Sequence, residues 1–236
     1  MNEPDIQIHT VSLGVSQAYL IRGEVGLILV DAGLPRQEKL ILRHLRSLGD
    51  PLRLIFVTHA HLDHYGSAAA LRRLTGAPIA IHREDAASLA RAETPIRSAR
   101  GRGRLTKALL PLVEVCLRPA PTEPDFLLDD GTSLRPYGLD ATVVHTPGHT
   151  PGSSCLVVGG RVGFVGDLLS TVGRPHLQGN YATSWLQLDR SLVRLRTLEL
   201  ERAYPGHGLR PLSRERLDRL LARRAQRTDH QDDKEG

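Results

Sequence analysis

Cysteine is scarce in this sequence. Cys116 and Cys155 are the only two among 236 residues, and they stand far apart. That excludes a disulfide framework and a cysteine-rich zinc ribbon, and it makes a reducing cytoplasm the expected location. No apolar run approaches the roughly 18 residues that a membrane-spanning helix needs, so no membrane partner is expected. Met1–Thr10 lacks a basic segment followed by an apolar one, so no secretory signal is expected either. Lysine is nearly missing, with 3 against 28 arginines, a ratio that a GC-rich genome accounts for. Acidic residues are missing from the stretch 97–107. There Arg97, Arg100, Arg102, Arg104 and Lys107 together equal the formal net charge of +5. The rest of the chain is close to neutral, so no general nucleic-acid-binding surface is implied.

What remains has the make-up of a globular protein, 40% hydrophobic and 24% charged, enough for one large domain or two small ones. Short β-rich runs come first, at Ile6–Val11, Ala18–Ile21 and Leu27–Val30, punctuated by glycines. A helix is predicted over Gln37–Leu48, a buried strand over Leu52–Val57, a helix over Gly66–Thr75, a strand at Pro78–Ile81 and a helix at Arg83–Ala92. Residues 94–124, broken by five prolines, read as a variable excursion with one helix near 104–115. Asp129-Asp130-Gly131 reads as a hairpin-type turn. Strands follow at Ala141–His145, Ser154–Val158 and Arg161–Val165, the last two joined through Gly159-Gly160. An amphipathic helix is predicted over Thr183–Leu198, a strand near Arg202–Tyr204, and a final helix from a Ser213 cap to about Gln226. The expected organisation is a single domain over 1–227 and a flexible tail over 228–236. No short repeat is present. The strand at Leu27–Val30 nevertheless ends at Asp31 as the strand at Val162–Gly166 ends at Asp167, and two further strands run into histidines. That echo suggests a pseudo-duplicated α/β fold with its active groups beyond the carboxyl ends of strands.

The sharpest local feature is His59-Ala60-His61-Leu62-Asp63-His64, four metal-type side chains in six positions just after an apolar strand. Alternation lets His59 and His61 converge on one point, while Asp63 and His64 turn toward a second. Two-metal hydrolytic sites hold their ions about 3.5–4 Å apart, which this spacing suits. One loop cannot close two coordination shells, and other strand ends offer His149 in His-Thr-Pro-Gly-His, Asp167, and His207 in Pro-Gly-His-Gly. Neutral imidazole and carboxylate suit Zn²⁺, and also Mn²⁺ or Fe²⁺.

Together with the early Asp31-Ala32-Gly33, these four segments, in this order, resemble the metallo-β-lactamase-fold hydrolases from about Ile6 to Arg210. The resemblance implies an αββα sandwich, two mixed β-sheets flanked by helices, with the metals at one sheet edge. It implies that His59, His61 and His149 hold one metal, that Asp63, His64 and His207 hold a second, and that Asp167 bridges both. Asp31 is then a carboxylate that orients a ligand, although capping a turn is an equal reading. The implied activity is attack by a metal-bridging hydroxide on the carbonyl of a small thioester, ester or lactone, with Asp63 able to pass a proton to the leaving group. The complete ligand set looks more like the glyoxalase II and lactonase branches than like true β-lactamases, in which His64 or Asp167 has commonly been replaced. Only 29 residues follow His207, too few for the glutathione-binding helical domain of glyoxalase II itself. Alternatives within the superfamily are a phosphodiesterase or nuclease, a β-lactamase and a single-iron sulfur oxygenase.

The remaining candidates have plainer readings. His145 is read as structural, and His9, His44, His82, His176 and His230 as ordinary surface or core residues. Tyr65, Tyr181 and Tyr204 are read as aromatic filling, and both cysteines as small hydrophobes. The basic stretch 97–107 lies between the His-rich loop and the His149 segment. With Gly101 and Gly103 to flex it, it reads either as a mobile loop or as a lid that recruits an anionic small-molecule substrate.

Overall fold

The computed structural model describes residues 6–232, and the side chains of 225–232 lie outside that description. The first half of the chain contains β1 (Ile8–Ser12), β2 (Gln17–Gly23), β3 (Gly26–Val30), α1 (Glu38–Leu48), β4 (Leu52–Val57), α2 (Leu62–Tyr65), α3 (Ala68–Thr75), β5 (Ile79–His82), α4 (Arg83–Arg91), β6 (Ser98–Ala99), α5 (Gly103–Leu117) and β7 (Phe126–Leu128). The second half contains β8 (Ala141–His145), β9 (Ser154–Val158), β10 (Val162–Phe164), β11 (Leu169–Ser170), β12 (His176–Leu177), β13 (Tyr181–Ala182), α6 (Trp185–Thr197), β14 (Arg202–Tyr204), β15 (Leu212–Ser213) and α7 (Arg214–Asp232).

Two mixed sheets dominate. The larger runs β1-β2-β3-β4-β5-β7, antiparallel through β3 and parallel beyond it. The smaller runs β15-β14-β10-β9-β8, with a parallel pair only at β10/β14. Strand periodicity explains the layering. In β3, Leu27 and Leu29 face a core shared with Ile41 and Leu45 of α1 and Leu71 of α3. The alternate Ile28 and Val30 face a second core with Val143, Leu156 and Phe164 of the other sheet. The far face of the smaller sheet packs Val144, Cys155 and Val157 against Leu188, Leu192 and Leu195 of α6 and Leu217 of α7. Four layers result, helices outside and two sheets inside, the αββα sandwich expected from the sequence.

Two local readings change and one element is added. The expected helix over Gly66–Thr75 is present as α3, and a separate helical turn before it, α2, carries Asp63 and His64. The turn at Asp129-Asp130-Gly131 does not join paired strands. β7 adds to the larger sheet beside β5, while the Gly131 N–H donates to Val143 O and Ser133 bridges Thr142 in the smaller one. The turn therefore carries the chain between layers, which local turn chemistry cannot distinguish from a hairpin. The last helix extends to Asp232. Of the expected tail, residues 233–236 lie outside the described residues. No helix among the described residues is long and apolar enough to cross a membrane.

Candidate metal centre

The carboxyl ends of β4, β8, β10 and β14 meet at one edge of the sandwich and bring all seven sequence-nominated side chains together. His59, His61, His149 and Asp167 form one buried group, with a ligand atom from each within 4.8 Å of the others; Asp63, His64 and His207 form a second. His149 Nε2 lies 3.2 Å from His59 Nε2 and 3.1 Å from His61 Nδ1. In the second group His207 Nε2 is 3.5 Å from His64 Nε2 and 3.4 Å from Asp63 Oδ2. Asp167 stands between them. Its Oδ2 is 3.3 Å from His149 Nε2, while Oδ1 is 3.3 Å from His64 Nε2 and 3.2 Å from His207 Nε2.

Each imidazole is held from behind, at the nitrogen turned away from the cluster. Thr58 Oγ1 lies 3.0 Å from His59 Nδ1, and Pro95 O 3.3 Å from His61 Nε2. Tyr181 O lies 3.4 Å from His149 Nδ1, an atom that also has the Gln178 amide nitrogen at 3.2 Å. Val15 O lies 2.8 Å from His207 Nδ1, and Asp31 Oδ2 2.8 Å from His64 Nδ1. An acceptor at the rear nitrogen places the proton there and leaves the front nitrogen's lone pair free for a cation. Asp31 does more than face His64. Its two oxygens also accept from the backbone N–H and hydroxyl of Thr58, so the two readings of this residue, orienting a ligand and fastening a turn, coexist.

The electrostatics divide the cluster in two. Burial, reinforced by neighbouring histidines, holds His59 and His61 well below the ordinary imidazole range, so both are neutral. Burial opposes a charge on His64 as well, but Asp31, Asp167 and Asp63 outweigh it and hold the residue well above that range. His207 is likewise raised, to about 9, because Asp167 and Asp63 prevail over burial. Asp167 stays well below the usual carboxylate range despite burial, with His207 and His64 as the opposing charges. The second group thus attracts positive charge. Asp167 Oδ1 is fully buried and has no partner in hydrogen-bond geometry, a state that is costly unless a cation completes it. Gly206 keeps the space open: a Cβ there would lie 2.6 Å from both Asp167 Oδ1 and His64 Cε1.

Several supports escaped the sequence. Asp85, fully buried in the first turn of α4, accepts from Ala60 N at 2.8 Å, Gly152 N at 2.7 Å and Thr150 Oγ1 at 2.6 Å. It thereby ties the His59/His61 loop to the His149 loop. Burial raises its pKa, and the hydrogen bonds from Thr150, Ala60 and Gly152 act against the rise. An acid at the start of a helix reads as a dipole partner, and no local signal marks this one as buried. The Tyr19 hydroxyl donates to Pro205 O, and Gln17 N donates to Gly206 O, which fastens the His207 loop to β2. His145 stacks on His82 outside the cluster, as a structural residue would.

The basic stretch is anchored more firmly than its glycines suggest. β6 pairs with β13, and the Arg100 guanidinium lies 4.1 Å over the Trp185 ring. Gly103 is buried against the Asn180 carbonyl, where a Cβ would collide, so this glycine serves close approach and not hinging. The resulting flap supplies two of the rear acceptors, Pro95 O and Tyr181 O.

The sequence model of the Metallo-beta-lactamase superfamily matches residues 11–207. An uncharacterized protein of Bacillus subtilis is 32% identical over 136 residues, covering 57% of this chain; the match spans about half of that relative, 53% of its length. A protein named as a probable metallo-hydrolase of Streptococcus pyogenes is 31% identical over 200 residues, covering 83% of this chain and 79% of that one. The human protein named acyl-coenzyme A thioesterase MBLAC2 is 28% identical over 237 residues, covering 86% and 76%. The crystal structure of TTHA1623 in a di-iron-bound form superposes with a TM-score of 0.65 at 28% identity, covering 91% of this chain and 98% of that one.

Proposed function

Because the chain belongs to the metallo-β-lactamase superfamily, we propose that it hydrolyses a small acyl substrate, a thioester, ester or lactone, with two divalent cations. The observation that carries this reading is Asp167, which splits its two oxygens between the histidine groups and leaves the buried Oδ1 with no partner in hydrogen-bond geometry. His59, His61, His149 and Asp167 Oδ2 would hold one cation, and Asp63, His64, His207 and Asp167 Oδ1 the other. Zinc is the proposed ion; manganese and iron suit the same donors, and the similar TTHA1623 is described with two irons. When bound, such ions supply Lewis acidity toward a carbonyl and a water acidified to about neutral pH.

The chain's own contribution is orientation and proton handling. Pro95 O, Tyr181 O, Val15 O, Thr58 Oγ1 and Asp31 fix the five rings. Of the two carboxylates among the seven nominated side chains Asp63 is the more accessible, with its side chain 23% exposed against 3% for Asp167. Its Oδ2 is turned toward His64 and His207, so Oδ1 is the proposed atom that takes up a proton and delivers it to the leaving group. The Cys155 thiol does not compete as a nucleophile, since it is buried and pushed up to about 12. A thioester is the favoured substrate, given the similarity to a named acyl-coenzyme A thioesterase, and the arginines of the flap suit an anionic carrier. The cytoplasm remains the proposed location, in keeping with two unpaired cysteines.

The test combines metal analysis of purified protein with a panel of thioesters, lactones, β-lactams and phosphodiesters. Two ions per chain and metal-dependent turnover of a thioester or lactone are expected. A saturated protein holding one tightly bound ion would overturn the binuclear reading, and turnover confined to phosphodiesters would overturn the acyl one.

A further inference from the structure

From Ala108 to Leu117 helix α5 carries one charged residue, Glu114, yet it lies almost wholly in solvent. Its inward face is formed by the buried Gly103 and the half-buried Leu110, Glu114 and Leu117. Glu114 accepts from Thr94 N, and the neighbouring Lys107 donates to Arg97 O, so these two polar groups are turned toward the protein body. The opposite face carries Leu105, Leu109, Leu112 and Cys116, all exposed; Leu105 is 65% and Leu112 62% accessible. A helix that is hydrophobic all round is normally a buried helix.

The spacing of the bare face has a form of its own. Leu105, Leu109, Leu112 and Cys116 recur at intervals of four, three and four, the seam of a two-helix coiled coil. Thr106 and Val113 flank the seam on one side, and Ala108 and Val115 on the other, so no charge borders it. Arg104, Lys107 and Glu114 all lie away from it, as does Pro111.

We propose that this face packs against α5 of a second copy of the chain, antiparallel, across a two-fold axis. Position 105 then faces 116 of the partner and position 109 faces 112. The antiparallel sense follows from charge. A parallel pair would set two positive helix starts and both pairs of Arg102 and Arg104 side by side, whereas an antiparallel pair sets each start beside the other copy's carbonyl-rich end, where Arg118 is the one cation. The seam leucines 105, 109 and 112 with the flanking Val113 and Val115 offer about 500 Å² per chain, so two copies bury at most about 1,000 Å², the lower end of a specific interface. A lipid surface is the poorer fit: Lys107 is engaged with Arg97 O and Arg100 with Trp185, and the remaining Arg102 and Arg104 stand together at the start of the helix instead of along both flanks of its apolar face.

Sedimentation equilibrium at tens of micromolar is expected to return twice the chain mass of 25.9 kDa. The double variant Leu109→Glu/Leu112→Glu, altered only where side chains already meet water, is expected to sediment as a folded monomer with an unchanged circular dichroism spectrum. Under mild copper-catalysed oxidation Leu105→Cys is expected to form a disulfide-linked dimer with Cys116 of the other copy, while the unmodified protein forms none. A monomeric unmodified protein, whether or not it co-sediments with anionic phospholipid vesicles, overturns the proposal. So does a double variant that stays dimeric. Cross-linking through Cys116 alone overturns the antiparallel arrangement.

Discussion

Replacing Asp85 by alanine tests whether the two ligand loops are held by one buried carboxylate. In Asp85→Ala the Ala60 and Gly152 backbone N–H groups lose their acceptor in a dry site, while the Thr150 hydroxyl keeps Ser153 Oγ at 2.7 Å. Each orphaned buried donor costs about 1–3 kcal/mol, and the vacated volume adds to that, so the metal-free protein should lose about 3–5 kcal/mol. For a chain of this size that is a fall in Tm of about 10 °C. The loops that carry His59, His61 and His149 lose their shared tether as well, and supports of this kind typically contribute about 10–100-fold to metal affinity. Asp85→Asn retains one acceptor oxygen but turns an amide donor toward one of the N–H groups, so it should fall between alanine and the unmodified protein. Thermal unfolding with and without chelator, together with competitive metal titration, separates the two effects. An alanine variant with Tm within a degree or two of the unmodified protein and the same metal affinity would show that Asp85 fills space and nothing more.

Three further outcomes are expected. Asp167→Ala should empty both metal positions and abolish most turnover, whereas His207→Ala should lower the metal content from two toward one; elemental analysis decides, and full activity of Asp167→Ala removes Asp167 from the bridging role. Arg102→Gln/Arg104→Gln, which spares the Arg100–Trp185 stack, should lower kcat/KM for an anionic thioester at low salt and flatten its salt dependence while a neutral lactone is unaffected; equal effects on both substrates refute recruitment. Burial, helped by His145, lowers the His82 pKa to about 4, whereas the unfolded residue titrates near 6.5. The unfolded chain therefore takes up a proton first as pH falls, and stability is lost between about 6.5 and 4 and intact above that window. His82→Asn keeps an acceptor for Glu84 N and should reduce the slope of Tm against pH there; an unchanged slope contradicts the assignment.

The candidate ligands were legible in the sequence because metal chemistry restricts residue types and because strand ends place them in short, recognisable segments. His59, His61, Asp63 and His64 announce themselves within six positions, and the glycines beside His149, Asp167 and His207 mark tight turns next to strands. Apolar residues on both faces of β2 and β3 mark strands covered on both sides, while the second layer of sheet was implied by the family resemblance alone. The supports were not legible. Asp85, Tyr19, Pro95 O and Val15 O act through contacts between segments distant in sequence, two of them through backbone atoms that every residue type carries. The direction of the Asp129–Gly131 turn was open for a related reason: a turn sets local angles, while the sheet that receives the next strand is chosen by long-range pairing. The same holds for residues 94–117. Their composition determined that a helix would form and that positive charge would precede it, because propensity and charge are local properties. Only the tertiary structure decided that the flap would lock onto β13 and Trp185 behind the histidines. It also decided that α5 would turn Lys107 and Glu114 toward the protein body and leave Leu105, Leu109 and Leu112 in water, since which side of a helix is buried depends on what the rest of the chain places beside it.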